Sequence, residues 1–536
     1  AGRRIRRVPA TSSRPPGRPD ACPGALRVHQ AADGGLARVR VPGGLLRPAQ
    51  WTALRRAALD LGDGHLELTS RANVQVRGLL PGAESGLARR LAAVGLLPSP
   101  SHERVRNIVA SPLTGLDGRG RWDARPVVEA LDRGLCADPA LAGLPGRFLF
   151  AVDDGRGDVV GAGADVALLP LPCGSVAVLL AGRDLGLRTA AADAADAADA
   201  ALAAARAFLA ERPADGAEAW RLAELPGGPE RVAARLAAAP GVRRGTGRPE
   251  PPTRPAGGPT DRAGAPTAEA RPESLGPPWP SGAAGPVGPV RQGDGRLALA
   301  VLAPLGRLTA AQAEAIGAAV TGPDGPRLTP WRGVVLPGVP AEEADRRLAE
   351  LARCGLVTDA GSPWVGVTAC TGAPGCARAL ADVRADAAAA VRGVDRGVDR
   401  GLDRGRGEPA GDRGEPTGGR SPAPAAAPRP GATLLPVHWV GCERRCGHPG
   451  GRAVEVRATG AGYEIRVAGQ PVPPATAPPQ ANTAPPQTAR AAPQVTATTG
   501  RTATGHTATA PATDAATLAA AVAAARRGPA PGEAAR

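Results

Sequence analysis

Lysine and methionine are absent from this 536-residue chain, and tyrosine and phenylalanine occur once and three times. All 65 basic residues are therefore arginine. So few flat rings leave base-stacking platforms of the RNA-recognition kind poorly supplied. An isoelectric point near 10.9 carries little weight for nucleic acid here, because the abundance of Ala, Gly, Pro and Arg reflects a GC-rich coding bias. The flat guanidinium fork equally suits a small polyanion, since it meets carboxylates bidentately. No apolar run reaches the roughly 18 residues that a membrane-spanning helix needs. The Arg-rich opening AGRRIRRVPATSSRPPGRPD is followed by no apolar core of an export signal. A cytoplasmic protein with no membrane and no nucleic-acid partner is expected. Eight cysteines are too few for a disulfide framework in a chain of this length, which leaves metal or redox chemistry as the better use of clustered ones. No Gly-rich dinucleotide fingerprint follows a strand, so an external electron donor is expected, NAD(P)H through a separate reductase or a ferredoxin.

Glycine and proline are abundant, with 73 and 59 copies, close to the level at which low-complexity segments must be present. The tail 1–20 and the Pro/Gly- or Pro/Ala/Thr-rich stretches 240–292, 393–431 and 470–512 are expected to be disordered. Between them, LARVRVPGG and HLELTSRANVQVRGLL alternate as half-buried strands do, with a helical spacing in PAQWTALRRAALDLG. The same order recurs: LALAVLAPLGRLTAAQAEAIGAAV reads as strand and helix, PRLTPWRGVVLPGV as strand, and AEEADRRLAELARCGL as helix. Thr69 to Gly78 precedes Thr329 to Gly338 by 260 positions. RVRNIVASPLTG follows the first copy much as WVGVTACTGAPG follows the second, which sets Ser111 against Cys370. Two copies of this size predict a pseudo-twofold molecule with a site between its halves.

Four cysteines form a set, Cys370 and Cys376 as C-x5-C, then Cys442 and Cys446 as C-x3-C. Four thiolates from two loops are what a [4Fe-4S] cube needs. Cys376 is expected to open a helix, whose positive end and free N–H groups stabilise a thiolate. Gly372, Pro374 and Gly375 let that loop turn tightly. Structural zinc also takes four cysteines but favours tighter pairs, and buried unligated thiols are the remaining reading. Cys22, Cys136, Cys173 and Cys354 stand alone and are expected in core packing, although Cys22 lies on an extended segment from which it would face a site.

Together the two cysteine pairs, the duplicated strand-helix halves and LTSRANVQVRG resemble the sulfite and nitrite reductase superfamily, which pairs a [4Fe-4S] cluster with sirohaem. Within it, CPGALRVHQAADGGLARVRVPGG, LELTSRANVQVRGL, RFLFAVDDGRGD, ACTGAPGCARALADVRADA and GCERRCGHP are most similar to the precorrin-3B synthase family of aerobic cobalamin biosynthesis. The similarity covers residues 21–235, 294–392 and 432–468. It implies an α+β, pseudo-twofold fold. Ferredoxin-like half-domains would span 21–100 and 293–360, a tetrapyrrole- or anion-binding domain 101–239, a [4Fe-4S]-binding domain 361–469, and a last helix 513–527.

The resemblance assigns the cluster to Cys370, Cys376, Cys442 and Cys446. It assigns the tetrapyrrole carboxylates or a bound anion to Arg71, Asn73, Gln75, Arg77, Arg106, Asn107 and Arg147, with strand alternation placing residues 71, 73, 75 and 77 on one face. Reductases of the superfamily carry a basic K-F-K pair that grips sulfite or nitrite. The matching PGRFLF keeps one charge at Arg147 and has Leu149 in place of the other, which weakens an oxyanion clamp and favours the synthase. The implied reaction is dioxygen-dependent C20 hydroxylation and γ-lactone formation on precorrin-3A. A sirohaem-dependent assimilatory sulfite or nitrite reductase is the alternative. A mononuclear non-haem iron is also expected from the family, with His438 and His448 nearest the cluster as candidate ligands.

Overall fold

The computed structural model describes residues 22–190, 193–212, 219–244, 285–403, 434–447, 453–468, 507–510 and 515–527. The tail 1–20 and most of 240–292, 393–431 and 470–512 lie outside those residues, so their expected disorder does too. Four elements depart from the expectation, of which strands Val242–Arg244 and Gly288–Arg291 lie in the second of these stretches. Helix Val383–Asp403 continues into the third of these stretches, and strand Thr507–Ala510 pairs antiparallel with Gly462–Ala468.

HLELTSRANVQVRGLL is a hairpin rather than one strand. Leu66–Leu68 and Val74–Leu79 pair antiparallel across a turn at Thr69–Asn73. Thr69 Oγ1 accepts the N–H groups of Arg71 and Asn73 at 3.3 and 3.0 Å, and Ala72 takes a φ of 53°. Such local side-chain bonds favour turns over ladders. The alternation expected through residue 71 therefore begins only at Val74. The second copy repeats the device: Thr329 Oγ1 accepts Gly333 N–H at 3.0 Å, and Arg332, 260 positions after Ala72, takes a φ of 61°.

Each half-domain is an antiparallel sheet with helices on one face, Pro48–Leu61 and Glu84–Ala93 in the first, Ala310–Ala318 and Ala344–Arg353 in the second. The halves exchange edge strands reciprocally. Arg307 pairs with Glu67 at the edge of the first sheet, and Leu45 bridges Arg327 at the edge of the second. A shift of 262 positions carries Leu45 onto Arg307, and one of 260 carries Glu67 onto Arg327. Contacts that map onto each other in this way are isologous, the signature of a twofold relation. Near that axis Trp51 is 1% exposed and its indole donates to the Ala313 carbonyl at 3.0 Å, 262 positions on. One hydrophobic cluster runs through both halves, joining Trp51, Leu54 and Val76 to Leu299, Ile316 and Leu336.

The remaining two sheets share a topology. Ile108–Ala110, Phe150–Val152 and Val166–Pro170 run parallel before Ser175–Leu180 turns back. Val367–Ala369, Val437–Val440 and Ala453–Thr459 do the same before Gly462–Ala468. Ser111 and Cys370 each follow the first strand of their sheet. Asp154 N–H donates to Ser111 Oγ at 3.0 Å, and Gly441 N–H donates to Cys370 Sγ at 3.2 Å. The same backbone donor thus meets oxygen in one copy and sulfur in the other.

Truncating the axial indole tests whether the halves share one core. Trp51→Ala is expected to cost about 3–5 kcal/mol and to lower amide-exchange protection in Val74–Leu79 and Gly333–Val339 together. Loss confined to the first copy would contradict a shared core.

Candidate functional site

The four cysteines converge at the carboxyl ends of two parallel strands. Cys370 follows Val367–Ala369, Cys376 lies in the next loop, and Cys442 and Cys446 occupy the turn after Val437–Val440. Leu380 N–H donates to the Gly441 carbonyl at 2.8 Å, locking the two loops together. A Cβ at Gly441 would lie 2.8 Å from that of Ala379, so only glycine permits this approach. Cys376 does not open a helix. It sits in consecutive turns, and the following helix begins at Val383, because Asp382 accepts the Ala385 N–H and supplies the cap.

Burial pushes the Cys370 and Cys446 thiols upward, and the neighbouring sulfurs of the set add to it. Iron reverses that preference by binding thiolates. A tetrahedral zinc with ~2.3 Å bonds would draw its sulfurs to roughly 3.8 Å. Among the described residues no three of these sulfurs lie within 4.8 Å of one another. The four sulfurs are therefore not drawn together as a tetrahedral zinc would draw them.

His438 is not poised as an iron ligand. It is wholly buried, with Nε2 3.0 Å from the Cys446 carbonyl and Nδ1 2.8 Å from Thr368 Oγ1. Both ring nitrogens are thus engaged, Nε2 with the Cys446 turn and Nδ1 with the strand Val367–Ala369. His448 lies outside the described residues. Among those described, the one three-donor group within 4.8 Å is Asp153, Asp154 and Asp158, an all-carboxylate set already engaged by Arg156, Ser111 and backbone N–H groups. It is not the two-His-one-carboxylate arrangement expected for a mononuclear iron.

Beside the cysteines lies a cluster of arginines, which the structure sorts into free cations and structural ties. Arg71 makes no hydrogen bond or ion pair through its guanidinium among the described residues, and burial, with Arg221 and Arg38 nearby, lowers its pKa to about 10. Arg38 donates through Nε to Gln75 Oε1 at 3.1 Å and feels the charge of Cys446. Arg40 is 2% exposed, donates through Nε to the Arg104 carbonyl at 3.3 Å, and leaves Nη1 and Nη2 without a partner. Burial, then the charge of Arg38, pushes its pKa down to about 9. A buried guanidinium with unpaired Nη groups, as at Arg40, is costly, and a polyanionic ligand would relieve it while meeting its half-buried electrostatic neighbours Arg38 and Arg71.

The other expected ligand residues are used differently. Arg77 is tied bidentately to Asp33 at 2.8 Å and donates to the Gly375 carbonyl at 2.9 Å, gripping the cysteine loop. Arg106 is buried against Asp132, at 2.7 and 2.6 Å, and bonds the Leu96 carbonyl. Asn73 accepts Val41 N–H and meets Asn107, which in turn donates to the Arg104 and Gly146 carbonyls. Both are turn supports. Gln75 joins Arg38 to buried Glu67, whose other oxygen lies 2.7 Å from Arg384. Arg147 is half exposed and lies 4.0 Å from Glu224, while Leu149 is buried.

Sequence reading missed Arg38 and Arg40. Their i, i+2 spacing on the strand leading to VPGG was the available signal, since such residues share a sheet face. In the second copy Ala300 stands opposite Val335 where Arg38 stands opposite Gln75, and Leu113 and Leu116 cover that pair. One pseudo-equivalent pocket is therefore filled by the protein and the other is lined with cations.

Four substitutions test this division. Cys446→Ser is expected to abolish the electron paramagnetic resonance signal of the reduced cluster, whereas exposed Cys354→Ser leaves it intact; an unchanged signal in the first would refute the ligand set. Arg77→Leu is expected to lower iron occupancy after reconstitution at unchanged circular dichroism, and Arg71→Leu to keep the iron. Equal iron in both would remove the loop-gripping role.

Comparison with known proteins matches a family model described as the nitrite/sulfite reductase ferredoxin-like half domain twice, at residues 29–94 and 289–354. The ferredoxin–nitrite reductase of Synechococcus elongatus is 36% identical over 142 residues, covering 25% of this chain and 28% of that protein. A precorrin-3B synthase of a Sinorhizobium species is 31% identical over 135 residues, with the same coverage. The chain thus spans little more than a quarter of the length of these relatives. The solved structure of the Mycobacterium tuberculosis NirA protein overlays at a TM-score of 0.58 with 19% identity, covering 81% of this chain and 74% of that one, a likeness of fold. Residues 29–94 and 289–354 thus each resemble the nitrite/sulfite reductase ferredoxin-like half domain, and the fold of the chain is like that of the NirA protein.

Proposed function

We propose that this chain is a precorrin-3B synthase, an oxidoreductase that takes precorrin-3A and dioxygen and returns the C20-hydroxylated γ-lactone. The observation that carries this reading is the state of the PGRFLF stretch. An enzyme that reduces a small oxyanion needs cations converging on it while charge develops. Here Arg147 turns to solvent near Glu224, Leu149 joins the core, and Arg106 is consumed by Asp132. The cations Arg38, Arg40 and Arg71 suit the several carboxylates of a reduced tetrapyrrole lying beside the cysteine turn. When bound, the [4Fe-4S] cluster would supply electrons singly, drawn from an external donor. Arg77 and His438 hold the cysteine loops, and the arginine trio binds and orients the macrocycle.

The second reading, a nitrite or sulfite reductase with resident sirohaem, has a specific support. The nitrite reductase of Synechococcus elongatus is the more similar relative, at 36% against 31% identity, and a sulfite reductase haemoprotein of Acidithiobacillus ferrooxidans is 49% identical over 45 residues. The same arginines would then hold the carboxylates of a cofactor instead of a substrate.

An absorption spectrum of the purified holoprotein separates the two. The synthase is expected to show a broad iron–sulfur shoulder alone, and sirohaem Soret and Q bands would decide for the reductase. Incubation with precorrin-3A, reductant and isotope-labelled dioxygen is expected to add one labelled oxygen to the product, and no mass gain would sink the proposal.

A further inference from the structure

Cys22 lies outside the cluster set, and its surroundings are unlike those of a packing thiol. It is half-buried yet belongs to no hydrophobic cluster among the described residues, whereas Cys370 packs against one. Its electrostatic neighbours are the guanidinium groups of Arg38, Arg40 and Arg71. The segment that carries it is held in place. Buried Glu103 accepts the N–H groups of Ala25 and Leu26 at 2.7 and 2.9 Å, and Arg38 N–H donates to the Gly24 carbonyl at 3.3 Å. A Cβ at Gly24 would come within 2.4 Å of Glu103 Oε1, so glycine is needed where this segment crosses the carboxylate. The independent sign of a ligand is Arg40, whose buried Nη1 and Nη2 lack hydrogen-bond partners and whose charge interacts with Cys22.

We propose that Cys22 is a further residue of the pocket, a reactive thiol that touches the polycarboxylate ligand bound by Arg38, Arg40 and Arg71. The cations favour its thiolate and concentrate anions around it. Cys22 is thus both a contact for the macrocycle and a site of modification by anionic electrophiles. The ligand class rests on the functional reading above; the thiol's setting does not.

The test alkylates the reconstituted holoprotein with iodoacetate or with neutral iodoacetamide and follows each cysteine by peptide mass spectrometry. The thiolate attacks the methylene carbon, the S–C bond forms, the C–I bond breaks and iodide leaves. Relative to exposed Cys173 and Cys354, Cys22 is expected to prefer iodoacetate by about tenfold or more, a modest share of what a focused field can deliver. That preference is expected to shrink in Arg40→Gln and, in the unmodified protein, at high salt. No preference, or one indifferent to both changes, would overturn the proposal. Sirohydrochlorin, a metal-free polycarboxylate tetrapyrrole, is expected to shield Cys22. If its absorbance shows binding while Cys22 stays reactive, the contact is refuted and the functional reading stands; if it fails to bind while the anion preference persists, the tetrapyrrole reading falls and the thiol–arginine pocket remains.

Discussion

The guanidinium of Arg77 joins parts of the chain that are 298 residues apart, from its own strand to the Gly375 carbonyl in the cysteine loop. Its bidentate bonds to Asp33 aim the remaining N–H at that carbonyl, so the first half-domain sets the position of a loop that belongs to the second. An arginine at a different position of the repeat plays the same part on the other side of the pseudo-twofold. Arg327, from the second sheet, donates to the Pro112 and Thr114 carbonyls at 3.2 and 2.7 Å, in the loop after Ser111. Each half-domain therefore holds the loop of the opposite α/β sheet with an arginine. Backbone carbonyls buried at such a crossing need donors, and the five N–H groups of arginine can serve several at once.

Duplication made two such crossings, and packing then separated their uses. Around Ser111 the loop carries Leu113 and Leu116, which close over Ala298, Ala300 and Val335. Around Cys370 the equivalent sheet face keeps Arg38, Gln75 and Glu67, which are joined by hydrogen bonds through Gln75. An apolar plug gains transfer free energy at each buried carbon. A bare cation pays desolvation with no return until an anion arrives. The second arrangement is unfavourable on its own, as local rules are broken mainly where function needs it.

The pseudo-symmetry also explains how little need change between a scaffold and a metal site. Ser111 Oγ and Cys370 Sγ receive the same backbone donor at 3.0 and 3.2 Å. The strand-to-loop geometry is the same in both copies, and the second differs in placing sulfur where the first has oxygen, with Cys376, Cys442 and Cys446 gathered around it.

What the sequence determined by itself was whatever repeats or clusters along the chain. The two strand-helix copies, the Ser111–Cys370 correspondence and the four cysteines follow from spacing, because local periodicity and short-range loops are written in neighbouring residues. The roles of the arginines were decided by tertiary structure alone. Arg71, Arg77 and Arg106 look alike in sequence, yet only Arg71 is left unpaired, because Asp33 and Asp132 reach the other two from 44 and 26 residues away. Arg40 became a site residue, and His438 a prop for Cys446, for the same reason. Whether a charged or polar group is free depends on which distant partners packing brings within bonding distance, and no local pattern records that.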